Sequence, residues 1–228
     1  MEYLPLRNAY DAALGDVLSD IESHIRPNHP YKASDKITWA HETTHGISSD
    51  LRQKFCKPEE NAFYVLRNQA VVVSNPAVTI KETARLVPED LRGKIYDLYL
   101  VKQAGDWNNT PTYLFDELVA YSNGSECALD LSSKRLYNER RSDSFEFMLE
   151  MLAYCTAMCC KATNDTTTAL LAYCWNRAIY LIEQSKQFTN LSDPIHDDYL
   201  NRFDTHQELA AFKNSILSMG DYGSNTYL

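Results

Sequence analysis

No apolar stretch in this 228-residue chain reaches the roughly 18 residues that a bilayer span requires, because Glu146, Glu150, Asn176 and Arg177 interrupt the two most apolar segments. Positive charge is also scarce. The 22 Lys and Arg stand against 31 Asp and Glu, a formal net charge of −9, the wrong sign for gripping phosphate backbones or an anionic membrane face. Neither nucleic acid nor a membrane is an expected partner. A basic n-region followed by an apolar h-region is missing as well, since Glu2, Asp11, Asp16, Asp20 and Glu22 are spread between Met1 and Arg26. A soluble, cytoplasmic protein is the expectation, with secretion the alternative if a leader has been removed. There is no repeat, low-complexity tract or linker, so residues 1–228 are expected to form a single domain.

Of the six cysteines, Cys155, Cys159, Cys160 and Cys174 fall inside apolar helical patterns, where a reduced thiol behaves as a small hydrophobe. Reduced thiols are the expectation. Cys56 and Cys127 are the pair outside that cluster.

Residues 8–25 carry apolar side chains at spacings of three and four and read as an amphipathic helix ending before Pro27. Ser34 is the expected N-cap of a second helix, with Asp35 in its first turn and Ile37, Ala40, His41, Thr44, Ile47 and Leu51 along one face. That helix should run over 35–54. Two β-rich runs follow, Asn61–Leu66 (NAFYVL) and Ala70–Ser74 (AVVVS), which suggest a hairpin. Pro88 is placed to open a helix over 89–101, and Gly105–Pro111 reads as a polar loop around Trp107. Helices are then expected over 112–128, 143–162, 166–187 and 205–218, the last three forming a C-terminal bundle.

One motif carries chemistry. His41, Glu42, Thr43, Thr44 and His45 spell HETTH, an HExxH pattern on a segment that reads independently as a helix. Four residues turn a helix by about 400°, so both imidazoles share a face one turn apart, where two nitrogens can reach one Zn²⁺ at about 2.0–2.1 Å. Glu42, offset by about 100°, projects beside the metal and is placed to take a proton from a bound water.

HExxH on such a helix resembles the zincin metallopeptidases, a likeness carried by residues 34–51 and 110–130. The metzincin branch requires a histidine six residues beyond His45, and that position is Leu51. What remains resembles the gluzincins, whose third ligand is a glutamate on a later helix followed three positions on by a small residue. Phe115–Tyr121 (FDELVAY) fits best, with Glu117 as ligand and Ala120 as the small residue. Glu82, Glu126, Glu146, Glu150, His196 and His206 stay open as rivals, although Asn123 and Gly124 are expected to fray the helix before Glu126.

The resemblance implies a Zn²⁺ cofactor, a water in the fourth position, Glu42 as general base and a tyrosine donor to the developing oxyanion. Tyr113 and Tyr121, each four residues from Glu117, are the candidates for that donor. NAFYVL is the candidate strand for aligning substrate by β-augmentation. One departure is plain: zincin sheets commonly precede the HExxH helix, whereas these strands follow it. The expected fold is α+β and mainly helical, with a zincin-like active-site helix, a small β-hairpin or sheet and a C-terminal helical bundle. The expected function is zinc-dependent hydrolysis of a peptide or protein substrate. The alternative is a non-catalytic metal-binding or partner-binding helical protein with a structural or degenerate HExxH site. No pattern sets an oligomeric state.

Overall fold

The computed structural model describes residues 16–25 and 34–218. In chain order the elements are α1 (Val17–Glu22), α2 (Lys36–Phe55), β1 (Glu60–Tyr64), β2 (Ala70–Ser74), α3 (Ile80–Leu86), a 3₁₀ turn (Glu89–Leu91), a π-helical segment (Asp97–Lys102), α4 (Ala104–Trp107), α5 (Tyr113–Ser133), α6 (Ser142–Lys161), α7 (Asp165–Ser185), α8 (Pro194–Thr205) and α9 (Gln207–Ser218). Among the described residues the protein is mainly helical with one small two-stranded antiparallel sheet, β1–β2. Among the described residues no helix is long and apolar enough to cross a membrane. The first half of the helix expected over 8–25 lies outside the described residues.

Helix α5 runs through the middle of the protein and packs against α2, α6 and α7. Its apolar residues point all round: Phe115, Leu118, Val119 and Leu129 enter the large core shared with α6 and α7, while Cys127 and Leu131 join a smaller one with α1, α2 and the hairpin. The polar residues between them are buried too, so each needs a partner. Asn123 finds three. Its amide donates to Thr44 Oγ1 and the Tyr64 carbonyl, each at 3.0 Å, and its Oδ1 accepts from Arg177 at 2.8 Å. These bonds override the local tendency to fray at Asn123–Gly124, and α5 continues unbroken to Ser133.

On α2, Ala40, Thr44, Ile47 and Leu51 form the inner face, each no more than 4% exposed. Burying an Ile or Leu side chain contributes about 1.5–3 kcal/mol, so this strip fixes the rotation of the helix. The N-cap is Asp35 and not Ser34, because its carboxylate reaches the backbone N–H groups of Ile37 and Thr38. Trp39 packs on the smaller core.

The hairpin forms where expected, with β2 over Ala70–Ser74, but β1 spans Glu60–Tyr64 and not Asn61–Leu66, because Leu66 enters the turn; Asn61 lies opposite Val73 and Phe63 opposite Val71. Its turn places Leu66, Arg67 and Asn68 at φ of 71°, 54° and 56°, left-handed values that non-glycine residues rarely adopt. Asp20 of α1 holds it, accepting from the backbone N–H of Arg67 at 2.7 Å and of Asn68 at 3.3 Å. The other edge of β1 is closed where it meets α2 and α5: Ser48 accepts from the Tyr64 N–H at 3.2 Å and Asn123 donates to its carbonyl. NAFYVL is therefore not a free edge for a substrate strand at Tyr64.

The helix expected over 89–101 is broken. Lys94 and Ile95 donate their backbone N–H groups to the buried Glu150 carboxylate at 2.9 and 3.1 Å, and Gly93 donates to Tyr154 Oη at 3.3 Å. Donors spent on α6 cannot also close helical turns. A Cβ at Gly93 would lie 2.0 Å from Glu150 Cδ, so the approach requires glycine. The chain then resumes as a π-helix, which turns Tyr99 inward. Within the expected Gly105–Pro111 loop, Trp107 closes the short helix α4.

Helix α8 was not expected. Its Asp193 N-cap and Pro194 opening precede an inner face of His196, Tyr199 and Phe203. All six cysteines are free thiols, and Cys127, Cys155, Cys159 and Cys174 are buried. Burial pushes the Cys159 and Cys174 thiols up to about 12, which keeps them protonated and inert.

Candidate metal centre

Because His41 and His45 follow Ala40 and Thr44 by one residue each, they ride on the strip beside the buried face of α2, turned toward α5. Their Nε2 atoms lie 3.2 Å apart. Glu117, from α5, completes a triangle: its Oε2 is 3.7 Å from His41 Nε2 and 3.6 Å from His45 Nε2. Among the described residues these three form the group of His, Cys, Asp and Glu side chains able to share an ion. In a tetrahedral site with bonds of about 2.0–2.1 Å, neighbouring ligand atoms stand about 3.4 Å apart. The observed edges bracket that value.

The carboxylate supplies a second test. Glu117 Oε2 is buried and has no hydrogen-bond partner, whereas Oε1 accepts from Tyr113 Oη at 2.9 Å. A buried unpaired carboxylate oxygen is costly, and here it faces two imidazole nitrogens. A divalent cation at that point would satisfy all three donor atoms, so the residues fit zinc.

A second carboxylate orients the pair. Asp116 Oδ2 lies 3.0 Å from His45 Nδ1, with Arg52 Nη2 at 3.7 Å on its far side. Carboxylate bonds to the outer nitrogen of a ligating histidine fix its tautomer and ring orientation and raise its basicity. Burial disfavours a charged His45, but the hydrogen bond and charge of Asp116, aided by Glu117, outweigh it and raise the ring's pKa to about 10. His41, lowered by burial first and by its charged neighbour second, falls to about 4. A ligating imidazole must be neutral, so metal binding here would be coupled to loss of the proton that Asp116 favours on His45. Asp116→Asn should weaken zinc binding by about 10- to 100-fold with the fold intact, measured by chelator competition; unchanged affinity would remove Asp116 from the site.

Three tyrosines stand around Glu117. Tyr113 is committed to it, wedged between its Oε1 and the Gln103 side chain and stacked on Trp107 at 4.9 Å. Tyr121 lies against the His41 ring with centroids 4.4 Å apart, and its hydroxyl is 3.0 Å from that of Tyr99. Burial, and then the charge of Glu117, push both Tyr99 and Tyr113 well above the ordinary tyrosine value; Tyr121, raised chiefly by burial, reaches about 12. All three remain hydroxyl donors at neutral pH.

The sequence patterns missed Asp116 and Tyr99. Asp116 had a signal, standing next to Glu117 in FDELVAY, where neighbouring carboxylates diverge by about 100° on a helix and can address different atoms of one histidine. Tyr99 had none, because a π-helical turn breaks the 3.6-residue period.

Each rival ligand has other work. Glu82 caps α3, Glu126 pairs with Arg177 and Arg67, and Glu146 pairs with Lys94 at 2.7 Å. Glu150 holds the 93–95 segment. His206 pairs with Asp90 at 2.9 Å. His196 is 2% exposed with its Nε2 2.9 Å from the Ser142 carbonyl. Glu42 is half-buried and lines a cleft of about 150 Å³ that also reaches His41 and Tyr121.

Comparison with family models, with curated proteins and with solved structures gives no match for this chain.

Proposed function

We propose that the protein is a zinc-dependent peptide-bond hydrolase of gluzincin type, with His41, His45 and Glu117 as metal ligands and Glu42 as general base. The observation that carries this reading is the orphaned Glu117 Oε2 facing two histidine nitrogens at tetrahedral-edge distances. It is supported by the ligand count: a structural zinc is closed by four protein ligands, whereas a catalytic one keeps a position open. Among the described residues three form the group, and a cleft adjoins His41.

When bound, zinc would lower the pKa of a coordinated water toward about 7 and polarise the substrate carbonyl. The chain supplies the rest. Glu42, on the cleft side of His41, accepts the proton of the attacking water and returns it to the leaving amine. Tyr113 holds Glu117 by Oε1 and keeps Oε2 aimed at the histidines. Tyr121, at the cleft wall, is the better placed oxyanion donor: its hydroxyl pairs with that of Tyr99 at 3.0 Å, and with Tyr99 as the donor of that pair its own proton would be free for the carbonyl oxygen. Asp116 holds the His45 ring with Nε2 turned inward.

Elemental analysis tests the proposal. Protein purified without chelator and reconstituted with zinc should hold about one zinc per chain, and His41→Ala should lose it. Absence of any first-row metal in the reconstituted protein would overturn the hydrolase reading.

A further inference from the structure

Two carboxylates of α6, one helical turn apart, grip the same residue of the segment that leads into the π-helix. Glu146 takes the Lys94 ammonium at 2.7 Å, and Glu150 takes the backbone N–H groups of Lys94 and Ile95 at 2.9 and 3.1 Å. Glu150 is 1% exposed, and the Tyr154 hydroxyl donates to it as well, at 2.9 Å. Three donors aimed at one buried carboxylate hold it in a single place. Gly93 permits the close approach, and its own N–H reaches Tyr154 Oη at 3.3 Å.

The first N–H groups of a helix have no partner inside it, so whichever group takes them sets where the helix begins. Glu150 does this from outside. Over Asp97–Lys102 the backbone then winds as a π-helix, with the Gln103 N–H on the Leu98 carbonyl, five residues back, at 3.0 Å. A π-turn holds about one residue more than an α-turn, so it shifts the facing of the side chains it carries by up to about 100°. Two of them reach the candidate metal centre. Tyr99 puts its hydroxyl 3.0 Å from that of Tyr121, and Gln103 meets the hydroxyl of Tyr113, the residue bonded to Glu117. Tyr99 is 6% exposed and is not among the residues that line the cleft, so its effect on a substrate there passes through Tyr121.

Resting on the hydrolase reading above, we propose that Tyr99 is a positioning residue for the reaction, fixing the Tyr121 hydroxyl with its proton toward the substrate carbonyl, and that Glu150, by its grip on residues 94 and 95, is what places Tyr99. Without a donor on its oxygen the Tyr121 O–H rotates freely; with Tyr99 donating, the orientation toward the cleft is favoured. A buried carboxylate and a π-turn each cost stability, and the chain keeps both where together they deliver one hydroxyl to the cleft wall.

Steady-state kinetics on the zinc-loaded full chain test this, with an internally quenched peptide chosen from a library by wild-type cleavage. Tyr121→Phe should lower kcat by about 100- to 1,000-fold, the loss typical of one oxyanion donor. Tyr99→Phe should lower kcat by about tenfold or more with KM and zinc content unchanged, and should cost less than about twofold further when added to Tyr121→Phe, since independent residues multiply their losses. Glu150→Gln turns an amide NH₂ toward one of the two backbone donors; it should lower kcat by about tenfold in the wild type and by less than about twofold in the Tyr99→Phe background. Tyr154→Phe removes the hydroxyl that Gly93 and Glu150 share, a milder release of the same grip, and should act in the same pattern by about threefold, which keeps the test open if Glu150→Gln does not fold. Wild-type kcat in Tyr99→Phe or Tyr121→Phe, or losses that multiply in the double variant, would overturn the positioning role. Losses from Glu150→Gln and Tyr154→Phe that are absent, or that persist undiminished beside Tyr99→Phe, would overturn the part assigned to Glu150. In each of these cases wild-type cleavage leaves the metal centre standing. A zinc-loaded wild type that cleaves nothing overturns the hydrolase reading and this inference together.

Discussion

Glu126→Ala is expected to destabilise the protein by about 3–5 kcal/mol in denaturant unfolding, while Glu117→Ala, on the same helix, should keep the fold and lose tight zinc binding. The sequence gives little reason to treat the two glutamates so differently. Taken as a solvated helix carboxylate, Glu126 would be worth no more than about 0.5 kcal/mol. In the structure its side chain and that of Arg177 are both 1% exposed, with Oε2 2.7 Å from Arg177 Nη2, and its Oε1 lies 2.6 Å from Arg67 Nη2. Truncating it removes the carboxylate that faces the buried Arg177 guanidinium between α5 and α7 and loosens the left-handed turn that Arg67 occupies. Glu117 has no guanidinium against it: its Oε2 has no hydrogen-bond partner and stands 3.7 and 3.6 Å from the Nε2 atoms of His41 and His45, the residues that would ligate with it. Chemical denaturation of the apo proteins and chelator competition on the same two variants separate the effects. Zinc affinity at the wild-type level in Glu117→Ala would remove that residue from the site, and wild-type stability in Glu126→Ala would refute the buried pair as a structural clamp.

What was legible in the sequence was whatever the local period encodes. The strip Ala40, Thr44, Ile47 and Leu51 sets which way α2 faces, and the four-residue spacing of His41 and His45 then puts both rings beside it. The hairpin was legible for a similar reason, since NAFYVL and AVVVS are β-rich and their register follows from the short turn. The losses came where distant groups decide local structure. Nothing near residue 94 announces that Glu150 will take two backbone N–H groups and break a helix there. Nor does Asn123–Gly124 announce the bonds from Thr44, Tyr64 and Arg177 that carry α5 through. The buried carboxylates show the same limit. Glu117, Glu126 and Glu150 are all little exposed, and only the partner each meets distinguishes ligand site, ion pair and backbone clamp.

Glu42→Gln should retain zinc and the fold while lowering peptidase activity by two to four orders of magnitude, the range typical of general acid–base groups. The substitution is nearly isosteric and removes one capacity, that of accepting a proton. Glu42 stands outside the three-residue group, so zinc affinity should not move. It lines the cleft next to His41, so a substrate positioned there meets it directly. The combination of unchanged metal and lost turnover is what distinguishes a base from a ligand, because loss of a ligand would remove both together. The assay is cleavage of a peptide library followed by mass spectrometry, with each variant's zinc content measured on the same sample. Equal turnover by wild type and Glu42→Gln would rule out this mechanism. A zinc-loaded wild type that cleaves nothing in the library would instead favour the partner-binding alternative, in which the same centre serves to tie α2 to α5.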